Sequence, residues 1–168
     1  MFHSNRPIHK VPFTPFDIII ECCSIGLLVY IWVHFAMVFG ELPETVPSHF
    51  NSAGQPDSYS GKNFLFFLPI LATGLYILMF VLTKYPYQHN YMVNITEENA
   101  PQQYRFSVTV LRVVNLLCTI MFAYINYQIL LGAKTNETDL GMGFVITIIG
   151  ASILLPIVIL IYQKRMIK

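Results

Sequence analysis

Four apolar runs alternate with polar stretches along the chain, and that alternation predicts the elements. Allowing for their caps, the runs give helices over about 15–39, 64–83, 100–131 and 140–162. Each is long enough to cross roughly 30 Å of hydrocarbon. The first has a marked start. Thr14 stands at the cap position, Pro15 at the first helical position and Asp17 at the third, an S/T-x-x-D capping box, with Phe13 and Ile18 spaced as a hydrophobic staple. The run is too long for a signal-peptide core, and Phe39-Gly40-Glu41-Leu42 offers no small-residue cleavage site, so it reads as an uncleaved signal-anchor helix. Pro69 falls in the first turns of the second helix, where proline costs least. Asn99, Pro101 and Gln102 mark the start of the third. Its length of about 48 Å exceeds the apolar slab, so its first two turns should project into water or lie in the interface. Tyr85, Tyr87, Tyr91 and Tyr104 suit the headgroup layer there. A short loop, 132–139, precedes the fourth helix, which Thr138 can cap and which ends in a basic tail, 163–168. No half is duplicated, so residues 1–168 form one domain.

Composition fixes the class. Of 168 residues 55% are apolar and only 11% charged, with a mean hydropathy of +0.56. A soluble domain carries roughly 25% charged residues, so this chain cannot cover a soluble surface. The expected fold is all-α: a polytopic four-helix bundle whose first partner is the lipid bilayer. The net charge of +1 gives no reason to expect a nucleic-acid partner. Cys22, Cys23 and Cys118 lie in apolar runs and read as small buried hydrophobes, not as a disulfide framework or metal set. Four spans put both termini on one side. Arg6, Lys10, Lys84, Arg105, Arg112, Lys164, Arg165 and Lys168 fall on that side, against Lys62 and Lys134 on the other. The positive-inside rule then places both termini in the cytoplasm and the loop between the first two helices outside. Asn136-Glu137-Thr138 is formally a glycosylation sequon, relevant only in a eukaryotic secretory route.

That loop is the unusual stretch. Over residues 42–57, Pro43, Pro47 and Pro56 fix φ and remove backbone donors, so it should be neither helix nor inner strand. Asn51, Ser52, Gly54 and Pro56-Asp57 are turn chemistry. The pattern predicts a stiff, ordered extracytoplasmic loop. On a bland reading, His49 and Asn51 bond the loop backbone and Phe50 rests on the membrane-facing edge. On a functional one, the same stiffness is a preorganised docking surface.

Polar residues inside the apolar runs are the second feature. Glu21 and Arg112 enter from the same side to similar depth, which predicts an ion pair between them. Arg112, Asn115, Thr119 and Asn126 share one helical face. Such a stripe is packing glue between helices or the lining of a permeation path. His34, beside Trp32 and Phe35, reads as an interface residue with a wet ring. Gly143, Thr147 and Ala151 recur every four residues and permit close helix contact, within the chain or between copies.

Catalytic chemistry finds little support. The loop holds a lone histidine with Glu41, Glu44, Asp57 and Lys62, without the spacing of a metal site. No G-x-S-x-G elbow, reactive cysteine or phosphate-cradling glycine loop is present. No catalytic residue, metal or cofactor is expected.

The string Leu42-Pro43-x-x-x-Pro47-x-His49-Phe50-Asn51-x-x-Gly54-x-Pro56-Asp57, followed by Tyr59 and Lys62, resembles the signature of a bacterial membrane domain of unknown function. That domain also forms the N-terminal part of SdpI-like immunity proteins, which resist the sporulation-delaying peptide toxin. The stretch Tyr85-Pro86 … Thr96-Glu97-Glu98-Asn99 … Gln103-Tyr104 is similar to small members of that family. The resemblance implies a bacterial inner-membrane protein with this loop outside. Immunity members also hold a repressor at the membrane, but they carry about two more spans than this chain. The expectation is a non-catalytic sensor, immunity or accessory protein that meets an extracellular peptide or another membrane protein through Pro43, Pro47, His49, Phe50, Asn51, Gly54, Pro56, Asp57 and Lys62. The alternatives are a small ion- or proton-conducting protein using Glu21, Arg112, Asn115 and Asn126, and a metal-dependent membrane enzyme.

Overall fold

Thr14 starts the first helix through the reciprocal bonds its spacing predicts. In the computed structural model, which describes residues 6–135 and 140–166, the Thr14 hydroxyl accepts from the Asp17 amide at 3.2 Å. Asp17 Oδ2 accepts from the Thr14 amide at 2.8 Å. Helix α1 then runs Pro15–Val38 and ends in a single 3-10 turn, Phe39–Glu41. Helix α2 is Phe67–Leu82, entered through the 3-10 turn Lys62–Phe66. Helix α3 is Ala100–Thr135 and helix α4 Met142–Met166. All four are long and apolar enough to cross a membrane. The fold is all-α and polytopic, with one small β-element.

That element gives the stretch 42–57, expected as a stiff, ordered loop that is neither helix nor inner strand, a regular shape. Strand β1, Thr45–Phe50, pairs antiparallel with strand β2, Pro56–Gly61, with Val46 opposite Ser60 and Pro47 opposite Tyr59. A two-stranded ribbon has only edges, so prolines are tolerated in both strands. A register irregularity between Pro47 and Phe50 bends β1. Asn51 closes the tip: its Oδ1 accepts from the amides of Ala53 and Gln55, and Gly54 takes a φ of +83°, where a side chain would be strained.

Helices α1, α2 and α3 form the bundle, with the α1–α3 seam the most extensive contact. Beneath the hairpin, Phe35, Leu42, Val46, Leu65, Leu130 and Ala133 make one core. Leu28, Ile31, Ala72, Tyr76, Phe122 and Ala123 make a second at mid-helix. At the far end Ile95, Ala100 and Tyr104 make a third, against Val11, Tyr87 and Tyr91. The start of α3 is therefore covered by the N-terminal segment and by residues 84–99 rather than bare in water. Burial there pushes the Tyr91 phenol up to about 12, and its hydroxyl donates to the Pro86 carbonyl.

The expected four-helix bundle is in fact three helices with α4 beside them. No residue in the apolar stretch of α4 is buried. Its beginning meets α3 through Tyr124 and Phe144, rings 4.5 Å apart, and its end through Phe106 and Tyr162, 5.2 Å apart. Around the second contact a groove of about 400 Å³ separates the start of α3 from the end of α4. Gly143, Thr147 and Ala151 are all exposed, so the small-residue stripe makes no close contact within the chain. Boundaries also move: α2 starts at Phe67 after its 3-10 turn, α3 continues through Thr135, α4 starts after Gly141, and α4 continues through the expected tail to Met166. Thr138 and the sequon lie outside the described residues. The cysteines are also corrected. Cys22 and Cys23 are exposed and Cys118 is half-buried, so they face outward from the bundle.

Candidate functional site

The hairpin is fixed to the bundle at several points. Val46 is fully buried. The Lys62 amide donates to the Glu44 carbonyl at 2.9 Å, and the Lys62 ammonium pairs with the Glu44 carboxylate at 2.9 Å while lying over the Phe39 ring. The Gly54 carbonyl accepts from the Leu140 amide at 3.0 Å, which ties the tip to the entry of α4. Pro47 and Gly54 are buried, Phe50 and Pro56 half-buried, and Pro43 and Asn51 exposed.

His49 and Asp57 face each other across the two strands, Nδ1 to Oδ1 at 2.6 Å. Their side chains are 70% and 42% exposed, so the pair is presented outward. Asn51 bonds the loop backbone as expected, but His49 instead takes a side-chain partner. Using Nδ1 for Asp57 orients the imidazole and leaves Nε2 as its second polar atom. Beside the pair a cavity of about 290 Å³ opens between the hairpin and the helices, walled by Phe50, Phe64, Leu68, Ile129 and Leu140. The arrangement is a rigid ledge with one oriented polar pair above an apolar recess.

At the opposite end of the bundle the structure brings Glu21 and Arg112 together and adds members that spacing alone did not single out. Arg112 Nη1 lies 2.7 Å from Asp17 Oδ1, and Nε 3.3 Å from Glu21 Oε1. The guanidinium sits 4.0 Å from the Phe13 ring centroid. Arg105 Nη1 pairs with Asp17 Oδ2 at 2.8 Å and Nη2 donates to the Pro12 carbonyl. The Tyr76 hydroxyl donates to Glu21 Oε2 at 2.7 Å, and Asn115 Nδ2 donates to the Tyr76 carbonyl at 3.3 Å. Asp17 read only as a capping residue, and Arg105 and Tyr76 were not singled out. The signal was available. Asp17 and Glu21 are one turn apart and Arg105 and Arg112 two turns apart, so each pair shares a helical face.

The rest of the stripe does not extend this network. Thr119 bonds its own helix at the Asn115 carbonyl. Asn126 is buried, and its Nδ2 has no hydrogen-bond partner among the described residues. His34 is not the wet ring expected: it stacks between Tyr30 and Tyr127 with Nδ1 buried. Among the described residues no three His, Cys, Asp or Glu side chains come together as a metal-holding group.

Residues 26–73 match the family model of DUF1648, a domain of unknown function. The matched segment takes in the second half of α1, the whole hairpin and the first turns of α2. All nine of the candidate loop residues lie inside it, whereas Asp17, Glu21, Tyr76 and Arg112 lie outside. The DUF1648 match is therefore centred on the hairpin and the helices that carry it. An uncharacterized protein of Archaeoglobus fulgidus is 30% identical over 57 residues, which are 34% of this chain and 31% of that protein. The chain thus spans about a third of that relative's length. No solved structure matches.

Proposed function

We propose that this integral membrane protein is a non-catalytic sensor, immunity or accessory protein whose hairpin docks an extracytoplasmic peptide. One observation carries the reading: a polar pair, His49–Asp57, is held outward on a rigid ledge above an apolar recess. An extended peptide can lay an apolar side chain in the recess and hydrogen-bond the pair and the open strand edge. Preorganisation lowers the ordering cost of such binding. The resemblance of the loop string to SdpI-like immunity proteins supports a peptide as the ligand class and a bacterial cytoplasmic membrane as the setting. The excess of Lys and Arg at the end opposite the hairpin supports cytoplasmic termini.

The test uses the full chain in nanodiscs against membrane-active peptides, with binding followed by fluorescence anisotropy. His49→Ala and Asp57→Asn should each weaken binding about tenfold, the loss of one good polar contact. Equal affinity in both variants would remove the hairpin from the function. Proton or ion flux through the reconstituted protein that stops in Glu21→Gln would replace this reading with a conducting one.

A further inference from the structure

Three cationic side chains at the basic end surround a cavity the docking function does not use. Lys10, Lys84 and Arg112 line a space of about 280 Å³ between the N-terminal segment, the end of α2 and the face of α3. Phe13 and Phe80 form its apolar walls and Thr83 part of its floor. No carboxylate lines it. Asp17 and Glu21 stand behind Arg112, but Arg105 shares Asp17, so the two acids are already matched by two guanidiniums. The charges of Lys10 and Lys84 remain in excess. Lys84 lies over the Phe80 ring, 4.9 Å from its centroid, which holds the ammonium beside the cavity.

The end of a helix ordinarily repels an anion through its carbonyls. Here those groups are turned to internal use. Met79, Val81 and Leu82 carbonyls accept from the amides of Thr83, Lys84 and Tyr85, and the Phe80 carbonyl accepts from the Thr83 hydroxyl at 2.7 Å. The positive side chains therefore dominate the local field. The apolar span of α2 ends at Leu82 and Lys84 follows it, a position that suits the headgroup layer.

We propose that this cavity binds a phosphate-bearing anion, clasped between Lys10 and Lys84 with Arg112 at its base. The Asp17 and Glu21 carboxylates lie beside Nη1 and Nε of Arg112; Nη2 is the nitrogen those contacts leave over. The volume accommodates a phosphate and a short alcohol, with the phenylalanine walls meeting the carbon that follows. A phospholipid headgroup and a soluble phosphomonoester share that chemistry.

The experiment takes the purified full chain in neutral detergent through two arms. In the first, native mass spectrometry compares retention of phosphatidylglycerol with phosphatidylcholine. In the second, thermal unfolding is followed with glycerol 3-phosphate against sodium chloride at equal ionic strength. Retention of phosphatidylglycerol without protection by glycerol 3-phosphate assigns the site to a headgroup; protection in the second arm assigns it to a soluble anion. In either case K10Q/K84Q, at two exposed positions, should weaken the effect about tenfold or more, and K62Q/K134Q, which removes two charges at the other end, should not. No effect in either arm, no loss in K10Q/K84Q, or an equal loss in the control pair would overturn the proposal.

Discussion

At the residue scale the governing fact is that Arg112, 2% exposed, is the hub of the buried cluster. Two carboxylates face it, and each has a second partner: Arg105 for Asp17 and Tyr76 for Glu21. Desolvating these ions is expensive, and only mutual pairing offsets it. Removing the hub alone should therefore be worse than removing its partners with it. Arg112→Gln is expected to destabilise the protein by roughly 3–5 kcal/mol, the cost of breaking a buried pair, and adding Asp17→Asn and Glu21→Gln to that variant should restore part of the loss. Steric-trapping or detergent-unfolding measurements on the single, double and triple variants check this; additive losses would mean that the groups do not interact. Much of the cluster was readable from the sequence, because depth from one membrane face matches Glu21 to Arg112. Asp17 was hidden by its other role. A capping residue satisfies a local rule with Oδ2, and nothing local says that the same oxygen also meets Arg105, eighty-eight residues on in the chain, or that Oδ1 meets Arg112.

At the element scale the hairpin shows what local sequence reading misses. Prolines and turn residues correctly mark residues 42–57 as stiff and non-helical. They do not reveal strands, because Thr45–Phe50 lacks regular alternation and its burial breaks period where the register slips. The pairing is decided by the platform below, where Val46 and Leu42 fill the core with Phe35 and Leu65. Gly54 is the position where local and global demands meet, since the tip needs a positive φ and the Gly54 carbonyl receives Leu140. Gly54→Ala should cost about 1–2 kcal/mol of left-handed strain and loosen the tip. Limited proteolysis should then cut residues 51–55 faster, while the buried Arg112 cluster stays intact. Pro47→Ala should give a smaller effect, because Pro47 is clamped opposite Tyr59 and its rigidity is shared with the ladder. Equal cleavage rates in the native protein and Gly54→Ala would show that the tip is not held by this turn.

At the scale of the whole molecule, the helices were legible and their arrangement was not. Length and apolarity identify four spans, and the Phe106–Tyr162 contact sets the end of α4 beside the start of α3. But an all-apolar helix such as α4 presents the same surface chemistry to lipid as to protein, so no pattern distinguishes a packed helix from one standing aside. Two-ended geometry is what the topology prediction now rests on. The hairpin and Leu140 share one end, while Arg6, Lys10, Lys84 and Arg105 share the other with residues 84–99. Ala100 is fully buried and would be a silent reporter, so exposed Ser52 and Asn90 serve instead. With Cys22, Cys23 and Cys118 replaced by serine or alanine, a membrane-impermeant maleimide added to intact cells should label Ser52→Cys directly and Asn90→Cys only after permeabilisation. The reverse order would put the hairpin in the cytosol, where no extracytoplasmic peptide could reach it. Labelling of both positions from one side would contradict the two-ended geometry itself.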